Sequence, residues 1–229
     1  MPQRPSPVPI ETPIRILIPI SAAAAIAGAW LGGQWLWLHY IGKPLTTTLI
    51  FWLAASMSPM IGPRYRVAVL VGMALSLVGD VLLMLPGDFF VPGLIAFLLA
   101  HIGYIVAFAP GSSMQAKLGA FALLAVVAGA NLVGLLPRIG ADLKVAVLAY
   151  VVVLASMAAL AVARAWTPAL ANATPSSVRH AAAGGLCFVL SDSLLAWDKF
   201  GGGIPFPALL ILSSYWLAQW CIAKSVAER

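Results

Sequence analysis

Charge and cysteine are scarce in this chain. Only 9% of its 229 residues are charged, against about 25% in an ordinary soluble domain, and that shortage excludes a soluble globular enzyme. Two cysteines, Cys187 and Cys221, leave no disulfide framework and no Cys-rich zinc module. Neither has a histidine beside it, so a Cys-His nucleophile is not expected. The three histidines, His39, His101 and His180, fall at different depths of the predicted helices and cannot meet at one zinc ion, so no metal site is expected. GxSxG, HExxH and P-loop strings are absent. The net charge of +6 is scattered through loops and forms no basic stripe, which argues against nucleic acid as a partner.

Apolar residues are abundant, at 62% of the chain with a mean hydropathy of +1.00. A helix needs about 20 residues to cross a ~30 Å hydrocarbon layer, so eight crossings use most of the length. The expected fold is all-α and polytopic, a single transmembrane domain over 1–229 built as a bundle of eight helices. Its spans are read at about 14–38, 44–60, 65–85, 89–109, 115–136, 143–163, 178–198 and 204–223. Pro19 and Gly32-Gly33 interrupt the first. The small-residue run SAAAAIAGA imitates a cleavable signal, but it continues into WLGGQWLWL and is expected to be a retained crossing. Tight turns, PGD at 86–88 and GGG at 201–203, make spans 3 and 4, and spans 7 and 8, antiparallel neighbours.

Sorting Lys and Arg by alternate loops places Arg4, Arg15, Arg64, Arg66, Lys117, Arg164, Arg179, Lys224 and Arg229 on the side of the termini. Lys43, Arg138, Lys144 and Lys199 fall on the other side. The positive-inside rule then puts both termini in the cytoplasm, as in a bacterial inner (cytoplasmic) membrane.

Two acids remain inside spans, Asp80 and Asp192. An ionised carboxylate near a bilayer centre costs roughly 2.5 to 3.5 kcal/mol on the gentlest scale, so each needs a reason. Both lie ~10 Å below the outer surface on helices running the same way. Their surroundings, GDVLLM at 79–84 and SDSLLA at 191–196, share the form small-Asp-x-Leu-Leu, as in a weak parallel repeat. The expectation is a shared cavity with a carboxyl on each wall, the pair dividing one proton.

Other polar groups gather around this position, at unequal depths, as candidate substrate contacts: Lys43 at the outer rim with Thr46, Thr47 and Thr48, then Ser76, His101, Tyr104, Ser191 and Tyr215, and Gln219 near the inner rim, so that only part of the set can touch one ligand. Gly184 and Gly185 are expected to open space two turns before Asp192.

The strings KPLTT at 43–47, SLVGDVLLM at 76–84, GLIAFLLAHIGYIVAF at 93–108, LSDSLLAWDKF at 190–200 and YWLAQW at 215–220 resemble the YhhN family of integral membrane proteins, which includes lysoplasmalogenases. The resemblance covers spans 2 to 4 and 7 to 8. It implies an eight-helix membrane hydrolase that cleaves the vinyl ether bond of a lysophospholipid, lysoplasmalogen, to a fatty aldehyde and glycerophosphoethanolamine or glycerophosphocholine. No cofactor is implied. It assigns catalysis to Asp80 and Asp192, puts Lys43 and His101 on motif positions, and places Asp198 where relatives often carry Asn. On this reading Lys43 meets the lipid phosphate, and the chain of the lipid lies among spans 3, 4, 7 and 8. The residues alone also admit a proton- or cation-coupled transporter using the same two acids and, more remotely, a retinal receptor using Lys199.

Overall fold

The computed structural model describes residues 11–58, 61–168, 170 and 173–227. Arg4 and the rest of the Pro-rich start, residues 59 and 60 of the second predicted span, Glu228 and Arg229 lie outside the described residues. Proline marks several helix starts, where its missing N–H is harmless: Pro63, Pro175 and Pro207 open three of the eight α-helices. In order these are α1 (Glu11–Leu31), α2 (Leu36–Ser56), α3 (Pro63–Met84), α4 (Phe90–Phe108), α5 (Met114–Leu135), α6 (Ala141–Trp166), α7 (Pro175–Phe200) and α8 (Pro207–Lys224). Ser113 and Thr174 cap α5 and α7 by accepting the N–H of Ala116 and Ser177, each at 3.2 Å.

The first predicted span is corrected. Its hydropathy is continuous but its helix is not: Gly32 and Gly33 take φ of +63° and +49°, where only glycine is comfortable, and end α1. One 3₁₀ turn later α2 begins at Leu36, so Leu36 to Lys43 belong to the second helix. Pro19 and Pro44 both lie inside helices and interrupt neither, as membrane helices permit when neighbours satisfy the freed backbone.

Among the described residues six helices, α1 and α3 to α7, are long and apolar enough to cross a membrane. α2 and α8 carry more polar residues, and several of these, Lys43, Thr46, Thr47, Ser214, Tyr215 and Gln219, are buried. Large apolar side chains such as Trp30, Val133 and Val145 stand exposed at 74%, 82% and 77%, an outer surface suited to hydrocarbon. The protein is therefore all-α, polytopic and integral to a membrane.

Six helices form a ring: α2 packs on α3, α3 on α4, α4 on α6, α6 on α7, α7 on α8, and α8 returns to α2. α1 flanks α2 and α8, and α5 flanks α6 and α7. Advancing every label in the ring by four maps it onto itself. Gly184 and Gly185 close space rather than open it. A Cβ on Gly184 would meet Ile222 Cγ1 at 2.6 Å and the Ala218 carbonyl oxygen at 3.0 Å; on Gly185 it would meet Ala158 Cα at 3.1 Å. These two glycines let α8 and α6 approach α7 and so bring the polar residues of all three together.

Candidate active site

Asp80, on α3, is 1% exposed and surrounded by donors. The Lys43 ammonium lies 3.6 Å from its Oδ1 and donates to its backbone carbonyl at 3.2 Å. Thr47, one turn beyond Lys43, donates to Oδ2 at 2.6 Å, and Tyr215 of α8 donates to the same oxygen at 2.7 Å. A buried carboxyl needs such company, because an uncompensated charge there costs several kcal/mol. The donors are held in turn: Trp216 Nε1 donates to Thr47 Oγ1 at 3.3 Å, and Gln219 Nε2 to the Tyr215 hydroxyl at 3.2 Å. Tyr104 donates to Gln219 Oε1 at 2.8 Å, with Ser76 Oγ 3.5 Å from the Tyr104 hydroxyl.

Asp192, on α7, has a different setting. The Tyr150 hydroxyl of α6 donates to its Oδ2 at 2.5 Å. His101 Nε2 of α4 is 3.0 Å from that hydroxyl and 3.6 Å from Oδ2. His101 Nδ1 is buried without a partner. An orphaned N–H is costlier than an orphaned lone pair in such a place, which favours a proton on Nε2, donated to Tyr150.

Both carboxyls line one cavity of about 390 Å³, together with Lys43, Tyr150 and Tyr215. The cavity extends to the end of the bundle that carries the α1–α2, α3–α4, α5–α6 and α7–α8 connections, where His39, Phe90, Ile139 and Phe200 contribute. Its other walls are mostly apolar and come from α3, α4, α7 and α8, with Leu94, Phe97, Leu195 and Ile211, and from α5 and α6, with Leu132 and Val151. Each carboxyl has its own donors. The two environments differ, with a cation beside Asp80 and a tyrosine and an imidazole beside Asp192. The arrangement repeats across the ring: Asp80 draws on α2 and α8, Asp192 on α6 and α4, which is the same shift by four helices.

Residues 38–226 match the YhhN family model. The chain belongs to the YhhN family. It is 34% identical over 150 residues to lysoplasmalogenase TMEM86B of Homo sapiens, covering 66% of this chain and 59% of the relative. Against the Sus scrofa TMEM86B the identity is 32% over 154 residues, 67% of this chain and 60% of the relative. Against lysoplasmalogenase TMEM86A of Homo sapiens it is 28% over 194 residues, 81% of this chain and 75% of the relative. The chain thus spans about three fifths of the length of the TMEM86B proteins. No solved structure matches it. Family membership carries homology to a group of membrane hydrolases, and the two buried aspartates are consistent with a catalytic pair.

In this YhhN protein the residues singled out from the sequence separate into three groups. Asp80, Asp192, Lys43 and Tyr215 meet at the cavity. Lys43 stands not at an outer rim but inside α2, 7% exposed, because the helix starts earlier than its hydropathy suggested. His101, Tyr104, Ser76 and Gln219 lie behind the wall, acting on Asp192 or Asp80 only through their bonds. Ser191 lines the cavity, but its hydroxyl donates to the Ile211 carbonyl at 3.1 Å and staples α7 to α8. Thr46 bonds to Gly42 O and Ser21 Oγ, and Thr48 to Pro44 O, so of the three threonines only Thr47 reaches a carboxyl. Among the described residues no cluster of three or more His, Cys, Asp or Glu side chains has metal-binding geometry. Lys199 is held over the rings of Phe90 and Phe200. Tyr150 was missed. In the sequence it is a lone hydroxyl-bearing aromatic in the middle of the otherwise apolar run VAVLAYVVVLA, too weak a signal to mark it.

Proposed function

We propose that this chain is a membrane-embedded ether hydrolase that cleaves the vinyl ether bond of a lysoplasmalogen. All eight helices would cross the bilayer, with both termini on the cytoplasmic side of a bacterial inner membrane. The supporting observation is the pair of carboxyls lining one largely apolar cavity, each with its own donors. An alkenyl chain needs apolar walls, and its reaction needs an acid and a base within reach of the same bond.

Hydrolysis starts when a carboxylic acid delivers its proton to the alkenyl carbon beyond the one that bears oxygen. The π pair forms the new C–H bond, and the ether oxygen shares the positive charge as an oxocarbenium ion. Water adds to the oxygen-bearing carbon and gives a proton to the second carboxylate, forming a hemiacetal. That hemiacetal loses its hydroxyl proton, the carbon–oxygen bond to glycerol breaks, and the glycerol oxygen takes up a proton. One water is consumed, and fatty aldehyde and glycerophosphoethanolamine or glycerophosphocholine leave. No metal or organic cofactor enters any step.

The two environments suggest a division of labour. We assign the base, which receives the proton from water, to Asp80, where the Lys43 ammonium 3.6 Å from Oδ1 and the Thr47 and Tyr215 hydroxyls on Oδ2 supply the donors a carboxylate accepts. Asp192 has one donor, Tyr150, and a side chain 13% exposed to the cavity, and it is the acid. After giving up its proton it becomes the counter-ion of the oxocarbenium.

The test is aldehyde release from a lysoplasmalogen by the purified protein in detergent. Asp80→Asn and Asp192→Asn should each lower turnover at least ~10²-fold, the low end for a general acid or base, with the thermal transition nearly unchanged. Absence of aldehyde from the wild-type protein, with proton flux in liposomes that either variant stops, would favour transport instead.

A further inference from the structure

A lysophospholipid carries a phosphate, and Lys43, the cation inside the cavity, is already held by Asp80. Two other cations, Lys199 and Arg138, do not line the cavity but contact or adjoin residues that line its outer end. The Lys199 ammonium sits 4.2 Å above the ring of Phe90 and 6.0 Å from that of Phe200, and both rings line the cavity. Arg138, next to the lining residue Ile139, donates to the Gly201 carbonyl at 2.7 Å and lies 5.7 Å from the Trp197 ring. Among the described residues neither is within ion-pair distance of an acid. Asp198, beside Lys199 in sequence, instead accepts the Ile204 N–H at 3.2 Å. Both residues are exposed, and rings and a carbonyl hold their side chains.

We propose that Arg138 and Lys199 form the binding site for the phosphate of the substrate's headgroup. This rests on the hydrolase reading above. Lys199 follows Asp192 by seven residues, ~10 Å along α7, and a helical side chain leans toward the helix N-terminus, here back toward Asp192. From the vinyl ether oxygen to phosphorus there are five bonds, ~6 Å at full extension given the reach of a backbone residue. A substrate with its double bond at the carboxyls therefore puts its phosphate a few ångströms short of the Lys199 backbone, within the span of the lysine side chain. The guanidinium of Arg138 supplies paired donors of the shape a phosphate accepts.

The experiment compares a 1-alkenyl lysophospholipid with the phosphate-free 1-alkenylglycerol, in non-ionic detergent without bilayer lipid. Wild-type protein should show a higher kcat/KM for the phosphate-bearing substrate. Arg138→Gln with Lys199→Gln should lower that preference at least tenfold, and Lys117→Gln, at the opposite end of the bundle, should keep it. No preference in the wild-type protein, or an undiminished one in the double variant, overturns the proposal. Since no bilayer phosphate is present, cations that only anchor the protein at a membrane surface give this second result. If the double variant loses its thermal transition, Lys199→Gln alone carries the same comparison. Should the wild-type protein cleave neither vinyl ether, the hydrolase reading fails. The phosphate site is then judged by binding of an ester lysophospholipid against a monoacylglycerol, with the same variants and criteria.

Discussion

Tyr150→Phe removes one oxygen from a buried ring and leaves its packing in place. The lost hydroxyl donates to Asp192 Oδ2 at 2.5 Å and is 3.0 Å from His101 Nε2. A hydrogen bond to a charged group contributes about 1.5 to 3 kcal/mol. If Asp192 is the acid, that bond strengthens as the proton departs and the carboxylate forms, so the energy belongs to the transition state. At about 1.4 kcal/mol per tenfold, turnover should fall between ~10-fold and ~150-fold with little change in KM. Tyr104→Phe is the comparison. Tyr104 is as deeply buried, and its hydroxyl meets Gln219 and Ser76 rather than a carboxyl, so the variant bears a similar stability cost with a much smaller loss of turnover. Both are read by aldehyde release at saturating lysoplasmalogen and by thermal unfolding in detergent. A Tyr150→Phe protein within twofold of wild-type turnover, or one no slower than Tyr104→Phe, refutes the role given to Tyr150.

Lys43→Met should destabilise the protein by about 3 to 5 kcal/mol, the cost of leaving a buried carboxylate without its cation. Adding Asp80→Asn should restore most of the lost thermal stability and none of the activity, as measured by unfolding and aldehyde release on the same samples. Asp198→Asn keeps the acceptor for the Ile204 N–H and should change stability by no more than about 0.5 kcal/mol, with turnover unaffected.

The apolar walls of the cavity draw on more helices than the motifs marked. Spans 3, 4, 7 and 8 carried the motifs, and the chain was expected among them. Residues from α5 and α6 line the cavity beside residues from those four helices. A helix whose sequence offers only hydropathy can turn any face inward. For α6 that face is chosen by Ala158 and Ala161 seating against Gly185 of α7. The same contact sets the rotation of α6 that aims Tyr150 at Asp192.

Sequence alone was enough to single out Asp80 and Asp192, because a carboxyl within a 20-residue apolar run is too expensive to be incidental. It was also enough for the all-helical membrane class, since nothing else satisfies a backbone in hydrocarbon. Lys43 and Tyr150 needed the tertiary structure. A lysine near a proline reads as the end of a helix until its counter-ion is seen across the gap. A single hydroxyl in an apolar helix costs so little that its position carries almost no information until a carboxyl 42 residues away is found at its tip.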